Sequence, residues 1–216
     1  LNTCLSPIKY LNEKTELNRQ NNLNELAKRF NEIPLKEIVE AAPEIAVPIA
    51  EKLVYISDET LRKMYIELLA KASTKACVQT AHPSFINIIN NLSPDEGNLI
   101  KIFFEVDAIP FVSYKSVNKD DESYHFINEL VIKIPPSISL NYPNNRNVYL
   151  HNLESLGLIR IITSRHLSGE STYQHLVSEF EICKNAYKES NRILKFEKGG
   201  IQVTELGKMF FENIKS

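Results

Sequence analysis

The apolar positions of this chain change period twice, from helical spacing to alternation and back, and those changes mark out its elements. Leu17, Leu23, Leu26 and Phe30 recur weakly within an Asn-, Glu- and Lys-rich start, which predicts an amphipathic helix polar on most of its faces. Pro34, Pro43 and Pro48 then forbid one straight helix from Ile33 onward. A helix is expected over about 44–56, kinked or started near Pro48, with Ile45, Ile49, Leu53 and Ile56 inward. Ser57 suits the next helix start, since its hydroxyl can accept a free amide and the acids Asp58 and Glu59 favour the positive helix end. The buried stripe of that helix is Leu61, Met64, Leu68 and Ala72, and it runs to about Ala76. His82-Pro83 opens a short helix with Phe85, Ile86 and Ile89. Ser93-Pro94-Asp95-Glu96 is a complete capping box ahead of Leu99, Ile100, Phe103 and Phe104.

From Ala108 to Pro143 the pattern becomes extended, with alternation over Phe111 to Val117 and at Leu130, Ile132 and Ile134. Lys119-Asp120-Asp121-Glu122 between them reads as a solvated turn, and Pro135-Pro136 ends the second run. Asn145 to Ile162 organises the rest: Val148, Leu150, Leu153 and Leu156 keep helical spacing, Gly157 suits a left-handed helix end, and a β-rich run follows. Tyr173, Leu176, Val177, Phe180, Cys183 and Tyr187 predict a helix of about 172–189, with both tyrosines packing and their hydroxyls at the rim. Leu194 and Phe196, Gly199-Gly200, then Ile201 and Val203 predict a two-residue hairpin. Thr204 caps a last helix that returns Leu206, Met209, Phe210 and Ile214 to the core. The implied fold is α+β and mostly helical. It has an N-terminal helical lobe, 1–92, and a winged helix-turn-helix lobe, 93–216, with a helix inserted in the wing.

Composition narrows the possible partners. The net charge of −2 removes any global electrostatic argument for nucleic acid or membrane, so such a partner would need a local patch. Lys plus Arg against Asp plus Glu run 11 to 11 over residues 1–92, 4 to 8 over 93–144, and 10 to 8 over 145–216, so the positive excess is small and late. Three widely spaced cysteines, Cys4, Cys77 and Cys183, write neither a disulfide framework nor a metal knuckle, and they fit a reducing, cytoplasmic setting. The apolar stretch Ile45 to Ile56 is broken by Pro48, Glu51 and Lys52, so no membrane segment is expected in this chain. The first residue is Leu, as in a processed fragment with sequence upstream. No cofactor and no metal are expected: the sequence contains no Walker-type phosphate cradle, HExxH or GxSxG.

Three functions compete. An interaction module comes first, in which the acidic 119–122 loop, Tyr114 and Tyr124 beside it, and the inserted helix meet an unidentified protein of phage or host. Self-association through an apolar stripe on residues 15–30 is a further expectation. Duplex DNA comes second. Arg146, Asn147, His151 and Asn152 on the 145–156 helix are types that read base edges, and Arg160, Arg165, Lys195 and Lys198 could meet phosphates from the wing. Arg146 is the lone cation on that helix, which weighs against it. Third is a ribonuclease using Arg160 and His166, a pair that falls on a strand and its exit loop, where helical ribonuclease sites do not place it. A non-enzymatic role is therefore expected.

Four blocks in order carry a resemblance: PEIAVPIAEKLVYISDETLRKMYIELLAKA at 43–72, HPSFINIINNLSPDEGNLIKIF at 82–103, LHNLESLGLIRI at 150–161 and IQVTELGKMFF at 201–211. Together they resemble the abortive-infection alpha family over roughly residues 33–214. That is a bacterial domain of unknown function linked to self-sacrifice after phage attack. The resemblance implies a role in phage defence and transfers no catalytic or ligand-binding residue. The wing insertion and the acidic 119–122 loop are the places where the chain is not aligned with the family pattern.

Overall fold

The computed structural model describes residues 2–188 and 191–215 and is α+β, with eight α-helices and a four-stranded antiparallel sheet among them. It divides into two compact units, residues up to Gly97 together with those from Met209, and residues Asn98–Lys208. The expected boundary at 92/93 assigned the whole C-terminal helix to the second lobe. Its end packs with the helical unit, where the Phe210 ring meets Phe85 edge to face at 5.4 Å and Asn213 Nδ2 donates to the Thr80 carbonyl.

The helical unit contains α1 (Asn2–Asn31), α2 (Pro43–Tyr55), α3 (Glu59–Ala72) and α4 (Ser84–Asn90). Ile45, Ile49 and Leu53 of α2 are buried as the spacing requires, with Met64, Leu68, Phe85 and Ile89. Only half of the apolar repeat on α1 faces inward: Leu26 and Phe30 are half-buried, whereas Leu17 and Leu23 are exposed, and the polar Asn22 is fully buried. Asn22 Nδ2 donates to the carbonyls of Leu53 and Ile56 at 2.8 and 2.9 Å, which supplies partners for the free C-terminal carbonyls of α2. Arg29 pairs with buried Glu67, and Arg62 with Glu25, both at 2.8 Å, so the polar helix is clamped to α3 by ions. Asp58, and not Ser57, caps α3, accepting from Leu61 N at 2.9 Å. The helix stops at Ala72, short of Ala76, because the Ser73 carbonyl accepts from Val39 N and residues 38 and 74 form a bridge. The capping box at α5 (Pro94–Leu99) closes both ways, Ser93 N to the Glu96 carboxylate and Glu96 N to Ser93 Oγ.

In the second unit β1 (Ala108–Asn118), β2 (Tyr124–Val131), β3 (Ile159–Ile162) and β4 (Arg192–Val203) lie in the order β2-β1-β4-β3. α6 (Arg146–Ser155) ends as expected. Gly157 has φ +75°, its N–H reaches the Glu154 carbonyl and Leu158 N reaches that of Leu153, the paired bonds of a Schellman ending. The chain passes straight into β3, where Ile159 lies opposite Val203. Thr204 Oγ1 donates to the Gly157 carbonyl at 2.5 Å and accepts from Gly207 N at 2.9 Å, capping α8 (Glu205–Ile214).

Several expectations fail here, among them the return of Leu206 to the core, since it is 41% exposed. Gly199-Gly200 form no hairpin, because β4 runs through them. A Cβ at Gly199 would lie 2.2 Å from the Phe111 ring, so this glycine permits a close cross-strand approach and not a turn. β2 begins at Tyr124 and stops at Val131, with Ile134 outside it. Leu130 stands at φ +48°, its N–H on Ser113 Oγ, beside register slips around Tyr114. Val148 is 66% exposed, and Tyr149 takes its place in the core. The expected inserted helix is α7 (Gln174–Ala186), and its expected end at 189 lies outside the described residues.

Candidate functional site

α6 does not present its polar residues outward as a set. Arg146 turns onto β2, where Nη2 donates to Asn128 Oδ1 at 2.9 Å and to the Glu129 carbonyl at 3.0 Å. Burial lowers its pKa, opposed by nearby Tyr114. Asn147 is half-buried with a buried Oδ1, and Asn152 Oδ1 accepts from Ser155. His151 is exposed, 3.7 Å from Glu154, whose carboxylate also accepts from Ile161 N at 2.6 Å. The solvent side of the helix therefore carries Val148, His151 and Ser155 and lacks the cation the sequence placed there.

The remaining predicted residues are dispersed. Arg160 lies opposite Gln202 and lines a shallow cleft of about 200 Å³ with Gln202, Val203, Thr204 and Glu205. Arg165 and His166 are exposed in the loop after β3, and the His166 ring stands edge-on to Tyr173 at 6.3 Å. Arg160 and His166 thus have different neighbours, and among the described residues no hydrogen bond joins them. Lys195 and Lys198 sit at odd and even positions of one strand and so face opposite sides of the sheet. Lys198 Nζ lies 5.2 Å from the Tyr173 ring centroid.

What the fold does bring together is the far end of β2, β1 and β4. Tyr124 lies opposite Val117 and Phe126 opposite Lys115, while Ile193 and Lys195 lie opposite the same two β1 residues, so all six share one face. On it Tyr124 is 55% exposed, Phe126 and Ile193 are each 39%, and Ile127 beside them is 49%. Tyr124 and Phe126 meet edge to face at 5.6 Å, and Lys115 Nζ, paired with Glu197, lies 4.6 Å from the Tyr124 ring centroid. The opposite face is closed by α7, with Phe180 against Tyr114 and Phe196 at 5.2 and 4.7 Å. Tyr114, expected at the surface, is therefore buried, and burial raises its pKa.

This end is held stiffly. Arg192 spans three strands, with Nε on Ser116 Oγ at 2.6 Å and Nη2 on the carbonyls of Ser116 and Ser123 and near His125 Nδ1. Ser116 Oγ also meets the Tyr187 hydroxyl at 2.6 Å, while the buried Tyr173 hydroxyl donates to the Gly199 carbonyl at 2.7 Å. In the acidic turn Asp121 accepts from the Ser123 hydroxyl and N–H, which lowers its pKa, and Asp120 accepts from Asn191 at 2.6 Å. Sequence reasoning named Tyr124 and the acids but missed Phe126, Ile193 and the Arg192 clamp. The alternation of Tyr124 and Phe126 after a charged turn was the available signal.

The protein is thus α+β, and its sheet carries an open aromatic end tied together by hydrogen bonds among the described residues. The chain belongs to the abortive infection alpha family, which matches it over residues 16–214. No curated protein matches the chain. The structure of an uncharacterized protein from the hydrocarbon-degrading marine bacterium Alcanivorax borkumensis SK2 aligns with 66% of this chain and 96% of its own, at 12% identity and a TM-score of 0.35. Among the described residues no helix is long and apolar enough to cross a membrane, and no group of three His, Cys, Asp or Glu could hold a metal.

Proposed function

We propose that this protein acts in phage defence in the cytoplasm as a non-enzymatic binding module, and that the open end of β2, β1 and β4 takes a phage or host protein. One observation carries the reading: Tyr124, Phe126 and Ile193 form an apolar patch on a clamped sheet end, rimmed by Asp120, Asp121, Glu122 and Glu197. Lys115 and Lys195 on the same face offset part of that charge, so the patch is an apolar anchor with a mixed-charge edge, which suits a protein surface. Arg146, the cation that would have led α6 into a major groove, hydrogen-bonds to β2. The lobe is read as a winged helix, since β1, β4 and β3 are adjacent, α6 precedes β3, and β3 and β4 pair as a wing into which α7 is inserted. Winged folds without a basic face serve as protein modules, since a fold alone does not set its use.

The test is phage plating with the double variant Tyr124→Ser/Phe126→Ser beside Arg160→Gln/Arg165→Gln. The aromatic pair should abolish protection and the cation pair should leave it intact. The reverse outcome, joined to a steep salt dependence of duplex binding, would return the function to DNA.

A further inference from the structure

A cleft of about 260 Å³ lies beside α7 in the second unit. Its floor is apolar, made by Ile102, Ile109, Pro110 and the buried Leu176, and Pro135 forms part of its wall. Its rim is polar, with exposed Lys133 and His175 and half-buried Thr172. The space is large enough for a short organic acid.

The rim decides the head group. Thr172 Oγ1 donates its hydrogen to the Ser168 carbonyl and has none left for a ligand. His175 Nδ1 lies 3.3 Å from the Glu179 carboxylate, and the ring is exposed at the rim. Lys133 makes no hydrogen bond or ion pair among the described residues. An apolar floor with an uncompensated ammonium at its mouth is complementary to one negative charge on a short hydrocarbon body.

We propose that this cleft binds a small monocarboxylate with an aliphatic body, its carboxylate on Lys133 and His175 and its chain over Ile109 and Leu176. The site is independent of the protein-binding reading, so either can fail alone. The experiment is an NMR titration of the whole chain with sodium hexanoate, 1-hexanol and acetate. Hexanoate should move the amides of Ile109, Thr172 and Leu176 saturably, and acetate and hexanol should bind more weakly by about tenfold or more. Lys133→Gln should weaken hexanoate about three- to tenfold, the range for a partly exposed charge contact. Pro135→Trp, at an exposed position, should block binding by covering the mouth. Both changes lie outside the core, and unchanged unfolding midpoints confirm that the fold persists. Shifts that never saturate, or hexanol binding as well as hexanoate with Lys133→Gln without effect, overturn the proposal.

Discussion

The two faces of the sheet at its hairpin end differ by a single step along each strand. Tyr114 and Phe196 point one way and are closed over by Phe180 of α7, while Lys115, Lys195 and Ile193 point the other way, toward Tyr124 and Phe126, and are left open. Both faces are aromatic, so hydrophobicity alone does not tell core from surface here. The difference is whether an insertion elsewhere in the sequence arrives to cover one of them. On the covered face, aromatic rings contribute to stability; on the open face, equivalent rings remain available to a partner.

Substitutions can break that comparison in graded steps. Phe180→Ala, on the covered side, should destabilise the second unit by about 3–5 kcal/mol in urea unfolding, since it leaves a cavity among Tyr114, Leu176 and Phe196. Gly199→Ala should cost about 2 kcal/mol through overlap with the Phe111 ring and the Ile162 carbonyl, and Phe111→Leu in the same chain should recover only the share due to the ring. Thr204→Val should cost about 1 kcal/mol by removing the cap of α8, read from the same curves.

Alkali separates the two faces in another way. Burial raises the folded-state pKa of Tyr114, so the stability of its neutral form is complete below the unfolded value near about 10 and is lost as pH rises above it. Tyr114→Phe should therefore flatten the fall in unfolding midpoint above that pH, and an unchanged slope would count against burial as the cause. The smallest stability effect belongs to the open face: Phe126→Ser should change unfolding by no more than about 0.5 kcal/mol while removing partner capture and protection.

Much of the architecture was legible because it rests on local chemistry. Gly157 was recognisable as a left-handed helix ending, Ser93 to Glu96 as a reciprocal cap and Thr204 as a helix start, each from residues within one turn of one another. Features set by distant neighbours were misread. Gly199 looks the same whether it serves a turn or a close approach, and Phe111, far back in the chain, decides which. Asn22 looks like a solvated residue until the end of α2 is placed beside it. Arg146 was assigned outward because arginine usually is, but Asn128 and the Glu129 carbonyl draw it in. At the candidate site, composition identified the acids and Tyr124, whereas the pairing register of three strands was needed to join Phe126 and Ile193 to them.

The left-handed backbone at Leu130 has a further consequence. An outer strand bearing Tyr, Phe and Ile with no proline or lysine among them is the sort of template on which chains stack into fibrils. The bend at Leu130 and the slips around Tyr114 shorten its straight run to a few residues, too little for an incoming strand to zip along. The protein can therefore keep sticky side chains in the open without offering its backbone to copies of itself.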